Sequence, residues 1–141
     1  MTLDFDTTTQ EYVEIIYEIQ KDNKVARVKD IATKRGVTRS SVSTALSCLK
    51  DKELIRHENY GLVELTEKGL NLGKTLEKRH RIIEIFLGDI LNVNEVVARD
   101  NACILEHHMS SEVLDSLVNF VSFIQSHPEW LDNFKTFTAD N

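Results

Sequence analysis

Proline and glycine are scarce: Pro128 is the only proline and there are five glycines in 141 residues, which excludes long flexible linkers. Cysteine is scarcer than a disulfide framework requires, since Cys48 and Cys103 are the only two. No apolar run approaches the roughly 20 residues that cross a bilayer, so no membrane partner is expected. The first residues, Met1 to Asp6, are acidic and carry no apolar signal region, so the expected compartment is the reducing cytoplasm. Positive charge is short overall, with 17 Lys/Arg against 23 Asp/Glu and a net charge of −6, a balance that by itself argues against nucleic acid. What is present is a soluble globular composition, 41% hydrophobic and 28% charged. The length serves one ordinary domain or two small ones sharing a core.

The charge is unevenly distributed. Over residues 24–56, nine basic residues (Lys24, Arg27, Lys29, Lys34, Arg35, Arg39, Lys50, Lys52 and Arg56) stand against three acidic ones (Asp30, Asp51 and Glu53). Residues 81–141 hold 3 basic and 10 acidic residues. Local potential rather than total charge governs contact with phosphates, so this pattern fits a basic binding face on an acidic remainder. On charge alone, a solvated helix surface accounts for it equally well.

The hydrophobic spacing organises the chain. Thr8-Thr9-Gln10-Glu11 fits a capping box that opens a first helix near Thr8, and Tyr12, Ile15, Ile16 and Ile19 follow with the i, i+3, i+4, i+7 spacing of one buried face. A short helix over Val28 to Arg35 turns Val28, Ile31 and Ala32 inward. Gly36 then stands where a left-handed cap is needed, and Thr38 caps a helix with its apolar residues at Val42, Ala45, Leu46 and Leu49. Two short helices joined by a tight glycine-containing turn make a helix-turn-helix. Leu54 to His57 and Leu62 to Leu65 read as two short strands around the turn Glu58-Asn59-Tyr60-Gly61, the wing of a winged helix. Thr66 opens a long helix running to about Ile90, with Gly69 and Gly73 one turn apart for close packing. A further helix is expected from Asn94 to about His108, and another from Ser110-Ser111-Glu112 that carries Leu114, Leu117, Val118 and Val121. Phe120, Phe123 and Ile124 make that last helix apolar on more than one face, which in so short a chain implies burial against another subunit. The tail, residues 126–141, holds Trp130, Phe134 and Phe137 and reads as a short helix.

The second helix of the motif turns Arg39, Ser40, Ser41, Ser43, Thr44 and Ser47 outward. Short hydroxyls on such a face reach phosphates and base edges closely, and Arg39 can reach a guanine or a phosphate. Arg27, Thr38 and Lys50 on the flanks and Tyr60 on the wing complete the residues expected to meet double-stranded DNA.

Three short segments carry metal-ligand residue types: Glu11 and Glu14 at i, i+3; His80 and Glu84 at i, i+4; Cys103, Glu106 and His107 at i, i+3, i+4 on one helical face. A Cys/Glu/His set with added carboxylates suits a mid-series transition metal. It does not suit calcium or magnesium, which prefer oxygen alone, and it is not a cysteine-rich closed zinc site. Singly, each member has a plain alternative: Glu11 as a cap, Cys103 as a small buried residue, His80 and Glu84 as a surface pair. His57, His108 and His127 fall outside the set.

These stretches resemble the diphtheria-toxin-repressor (DtxR/MntR) family of metal-dependent regulators, in its short two-domain branch. The matching runs are Glu11 to Tyr17, Val42 to Leu54, Gly61 to Gly69, Arg79-His80 and Ala102 to Ser110. The most specific is Glu106-His107-His108-Met109-Ser110 with Cys103 upstream. The resemblance implies a winged helix followed by a helical dimerisation domain. It implies that Glu11 stands where the family places Met or Asp, and Glu14 where the manganese branch has Glu. His80 and Glu84 match a second metal position, and Glu106 and His107 match shared ligands. Cys103 matches the cysteine of the iron-responsive branch, where the manganese branch has Glu. Arg99 stands where the iron-responsive branch has a further His, a departure from its ancillary site. The chain carries no counterpart of the SH3-like domain of longer members.

The expectation is therefore a mainly α protein with a winged helix-turn-helix DNA-binding domain over residues 1–73 and a helical metal-binding and dimerisation domain over residues 74–141. It acts as a homodimeric repressor of metal-homeostasis genes on an inverted-repeat operator, activated by a divalent transition metal, with Fe(II) slightly favoured over Mn(II). No nucleophile or general base is placed for catalysis. The rivals are a winged-helix regulator sensing a non-metal ligand and a helical metalloenzyme or metal-storage protein.

Overall fold

The structure is a computed structural model and describes residues 3–22, 25–58 and 61–141. From Asp4 onward these form two compact units, Asp4–Glu77 and Lys78–Asn141, and the division falls inside one helix.

The first unit contains α1 (Thr7–Asp22), β1 (Ala26–Arg27), α2 (Val28–Arg35), α3 (Arg39–Asp51), β2 (Ile55–His57), β3 (Leu62–Leu65) and the start of α4 (Glu67–Ile85). The expected capping box at Thr8 is corrected. Asp6 is the cap: its carboxylate accepts from Thr9 N at 3.0 Å and from Thr9 Oγ1 at 2.8 Å, and Lys52 Nζ donates to it at 2.7 Å. An ionised carboxylate at the cap meets the positive end of the helix dipole, so it wins over the hydroxyls that follow it. The buried face of α1 is correspondingly rotated: Tyr12, Val13 and Ile16 are buried, while Ile15 and Ile19 are only half-buried.

α2 and α3 form the helix-turn-helix with the expected chemistry. Gly36 has φ +74°, a left-handed conformation that costs glycine little, and its N–H donates to Ala32 O at 2.9 Å. Thr38 Oγ1 accepts from Ser41 N at 3.1 Å to cap α3, whose Val42, Leu46 and Leu49 are buried. The sheet is antiparallel in the order β1-β3-β2, with Ala26 opposite Val63, His57 opposite Val63 and Ile55 opposite Leu65. Val63 and Leu65 point into the core and Glu64 points out, the period-two pattern of a half-buried strand. β1 was not expected, since two residues carry no periodic signal. Asn59 and Tyr60, read from the sequence as the wing tip, lie outside the described residues.

Thr66 caps α4, accepting from Gly69 N at 3.2 Å and donating to Glu53 O at 2.7 Å. The two glycines serve close packing as expected. A Cβ on Gly73 would stand 2.6 Å from Tyr17 Cδ2, and one on Gly69 would run into the Leu54 carbonyl oxygen. Tyr17 donates from its hydroxyl to Glu77 Oε2 at 3.1 Å, tying α1 to α4 within this unit.

The second unit contains the end of α4, a π-helical turn (Phe86–Ile90), α5 (Glu95–Leu105), α6 (Ser111–Ser126) and α7 (Pro128–Ala139). The long helix thus reaches Ile90 as expected, but its last turn widens: Leu91 N bonds to Phe86 O at 3.0 Å, five residues back. Asn94 and Ser110 cap α5 and α6 through Val96 N at 3.0 Å and Val113 N at 3.3 Å. Ile83, Ala102 and Leu114 form one buried cluster, and Ile90, Val121 and Ile124 form another. α7 begins with Pro128 at its first turn, where the missing N–H costs nothing, and buries none of its residues. No helix among the described residues is long and apolar enough to cross a membrane.

Candidate metal centre and DNA-reading face

Five of the seven residues singled out as metal ligands come together within the second unit. His80, on α4, is engaged at both ring nitrogens: Nε2 lies 3.1 Å from Glu84 Oε2 and Nδ1 lies 3.0 Å from Glu106 Oε2. The other Glu106 oxygen, Oε1, lies 3.1 Å from His107 Nε2. Cys103 Sγ is 3.8 Å from His80 Nδ1. Glu106 is 0% exposed, so a fully buried carboxylate sits between two imidazoles with a thiol beside one of them. A carboxylate taken out of water is costly unless positive charge compensates it. The cluster offers nitrogen, oxygen and sulfur donors at once, which fits a divalent transition metal and not calcium or magnesium. Arg99 borders it: Nε lies 3.9 Å from Glu84 Oε1, while Nη2 bonds to Glu95 Oε1 at 2.8 Å.

One expectation about this site is corrected and one alternative falls away. α5 ends at Leu105 rather than near His108, so Cys103 is on the helix while Glu106 and His107 stand in the turn after it. Cys103 is exposed, which removes the alternative that it is a small buried residue. Arg79 holds that turn, and sequence reasoning assigned it no role. It is 0% exposed, donates from Nε to the Glu106 carbonyl at 2.8 Å and from Nη2 to the Met109 carbonyl, so it fixes the backbone on both sides of His107. Burial lowers its pKa, and the charges of Glu106 and Asp115 oppose that shift. A signal existed: Arg79 continues the stripe of Leu72, Leu76 and Ile83, which are buried on α4 at helical spacing. A cation on an apolar stripe calls for a partner.

The other two residues belong to the first unit. Glu11 Oε2 lies 2.7 Å from Arg35 Nη2, and Glu14 is half-buried one turn further along α1.

On the DNA-reading side, Arg39, Ser40, Ser41, Ser43, Thr44 and Ser47 are all exposed on α3, and Arg27, Thr38 and Lys50 are exposed on the flanks. Thr44 and Ser47 donate back to Ser40 O and Ser43 O at 3.2 Å, which keeps their side chains close to the helix. Thr38 is engaged in the cap. Tyr60 lies outside the described residues.

Two family models match the chain, one after the other. Residues 4–63 match the family model of the iron dependent repressor N-terminal DNA binding domain, and residues 66–134 match that of the iron dependent repressor metal binding and dimerisation domain. The HTH-type transcriptional regulator MntR of Listeria welshimeri is 35% identical over 126 residues, 89% of this chain and 88% of the relative. The chain belongs to the DtxR/MntR family of metal-dependent transcriptional repressors. A second DtxR/MntR member, MntR of Bacillus pumilus, is 35% identical over 132 residues, 94% of this chain and 91% of the relative. Among solved structures of the family, a manganese-dependent transcriptional repressor in complex with manganese gives a TM-score of 0.74 at 28% identity, covering 82% of this chain and 53% of that one. The manganese regulator SloR gives 0.70 at 30% identity, covering 82% and 54%. The chain therefore spans about half the length of these solved DtxR/MntR relatives. As a member of the family it is a DNA-binding transcriptional repressor responsive to a divalent metal, a winged helix joined to a helical dimerisation domain.

Proposed function

We propose that the metal is held by His80, Glu84, Cys103, Glu106 and His107, with Glu11 and Glu14 of α1 as further carboxylate donors. The metal-bound homodimer represses genes of metal-ion homeostasis in the cytoplasm by occupying an inverted-repeat operator. The buried Glu106 carboxylate between two imidazoles carries the proposal: a donor group of this kind inside a protein is arranged for a cation. Glu11 and Glu14 are included for their i, i+3 spacing on one helix face and their match to the family's ligand positions.

A bound cation supplies the positive charge that this acidic and imidazole-rich cluster needs. Arg79 keeps Glu106 and His107 in place by holding the carbonyls around them. His80 lies against Glu84 through one ring nitrogen and Glu106 through the other; on loading, one of these contacts would keep the ring oriented while the other nitrogen would turn from its carboxylate to the cation. The metal favours DNA binding only to the extent that the DNA-competent state binds it more tightly. In that state Arg39 and the hydroxyls of α3 meet base edges and phosphates, and Arg27, Lys50 and Tyr60 meet the backbone.

Cys103 bears on which metal is native. A thiolate is a soft donor, so it favours Fe(II) slightly over Mn(II). Several structural neighbours are described as manganese regulators, which supports the opposite choice. Titrating the purified protein with each metal, while following binding to a selected operator, separates the two. Half-activation at lower free Fe(II) than Mn(II) supports the iron reading, and the reverse order overturns it.

A further inference from the structure

Glu11 is already engaged by a cation of the chain. Arg35, the last residue of α2, places Nη2 2.7 Å from Glu11 Oε2, and its Cζ lies 4.5 Å from the centre of the Tyr12 ring. Tyr12 is buried, so the guanidinium rests on a fixed aromatic floor. Gly36 stops the helix immediately after Arg35 and fixes where its side chain begins. The Arg35 side chain is 23% exposed and that of Glu11 38%, so the pair is partly shielded from water. The guanidinium brings a positive charge to the pair.

A divalent cation approaching Glu11 meets that charge across a single carboxylate. Repulsion between a dication and a guanidinium at such range opposes a shared arrangement, in which one oxygen serves each. We propose that Arg35 is an intramolecular competitor of the metal for Glu11, and so a residue that sets metal affinity. The Glu11–Arg35 pair is closed in the metal-free chain and open in the loaded one. This rests on the reading of Glu11 as a metal donor. Arg35 precedes Gly36, Val37 and Thr38, so the pair opens at the turn that leads into α3. Metal loading then also releases a positive charge beside the DNA-reading helix.

The test uses Arg35→Gln, which keeps hydrogen-bonding capacity towards Glu11 and removes the charge, together with Glu11→Gln and the double variant. Mn(II) and Co(II) affinities of the full chain are measured by competition with a chromophoric chelator, and thermal unfolding is followed with and without metal. The competitor role predicts that Arg35→Gln binds metal about three- to tenfold more tightly, the size of one partly exposed charge pair. It predicts that Arg35→Gln lowers the Tm of the metal-free protein and leaves that of the loaded protein unchanged. In the Glu11→Gln background, the effect of Arg35→Gln on affinity vanishes. Unchanged or weaker metal binding by Arg35→Gln, with Glu11→Gln still weakening it, overturns the competitor role and leaves Glu11 as a donor. Unchanged affinity in Glu11→Gln removes Glu11 from the metal site, and the proposal with it.

Discussion

At the scale of single residues, the proposed choice of metal turns on Cys103, and Asp6 caps the first helix. A thiol must lose its proton to bind a metal, and Cys103, beside His80, would be the soft donor of the proposed site. Cys103→Ala is therefore expected to weaken activation by every metal while the fold survives, because the residue is exposed. Cys103→Glu is expected to shift the preference towards Mn(II). The check is the thiolate-to-Co(II) charge-transfer band: it is present in the wild type and absent in Cys103→Ala. Cobalt-activated DNA binding without that band would remove Cys103 from the site. Asp6 is held well below the usual carboxylate range, first by its hydrogen bond from Lys52 and then by the Thr9 backbone N–H. The folded pKa is depressed, so the stabilisation is full above the unfolded value of about 4 and is lost as pH falls through the folded value. Asp6→Ala should cost about 1 kcal/mol near neutral pH, the usual worth of a helix cap, measured by urea unfolding. That difference should shrink below about pH 4, and an equal loss at all pH values would show that the charge plays no part.

At the scale of elements, the pattern of the helix-turn-helix was legible because its signals are local. Gly36 reports a left-handed cap, Thr38 a side-chain cap, and Val42, Leu46 and Leu49 a buried stripe. The features that escaped depend on partners distant in sequence. α5 stops at Leu105 because Arg79, on another helix, holds the carbonyls of Glu106 and Met109. Asp6 displaces Thr8 as the cap partly through Lys52, which lies 46 residues away. β1 exists because Val63 and Leu62 offer it a ladder. The ligand types at 80, 84, 103, 106 and 107 were legible, whereas the Glu11–Arg35 pair was hidden by the same long-range dependence. Two predictions belong to this scale. Gly73→Ala brings a methyl to 2.6 Å from Tyr17 and should destabilise the protein by about 1–3 kcal/mol, read from the urea midpoint. Arg39→Ala should weaken operator binding and flatten its dependence on salt, because a phosphate or guanine contact on α3 is removed. Binding insensitive to both the substitution and salt would show that another face reads the DNA.

At the scale of the whole molecule, the α6 and α7 surfaces bear on assembly. Phe120, Phe123, Trp130 and Phe137 are 43%, 42%, 56% and 66% exposed, and an apolar groove of about 430 Å³ runs among Phe86, Phe120, Phe123, Trp130 and Phe134. That much exposed aromatic surface on one unit fits the dimerisation role of its family model. Sedimentation at micromolar concentration should give a dimer, and Phe123→Asp should shift it towards monomer. On the proposed function, a two-fold dimer is expected to select an inverted-repeat operator with half-sites about one DNA turn apart. The central claim is that metal at the His80–Glu106–His107 cluster makes this dimer bind DNA. Its most direct test is operator affinity, by fluorescence anisotropy, for the wild type and Glu106→Gln, each with chelator and with saturating Mn(II) or Fe(II). The account predicts that metal tightens wild-type binding by tenfold or more, an ordinary coupling of about 1–3 kcal/mol, and leaves Glu106→Gln near its metal-free affinity. Equal wild-type affinity with chelator and with metal, or a full metal response in Glu106→Gln, would contradict it.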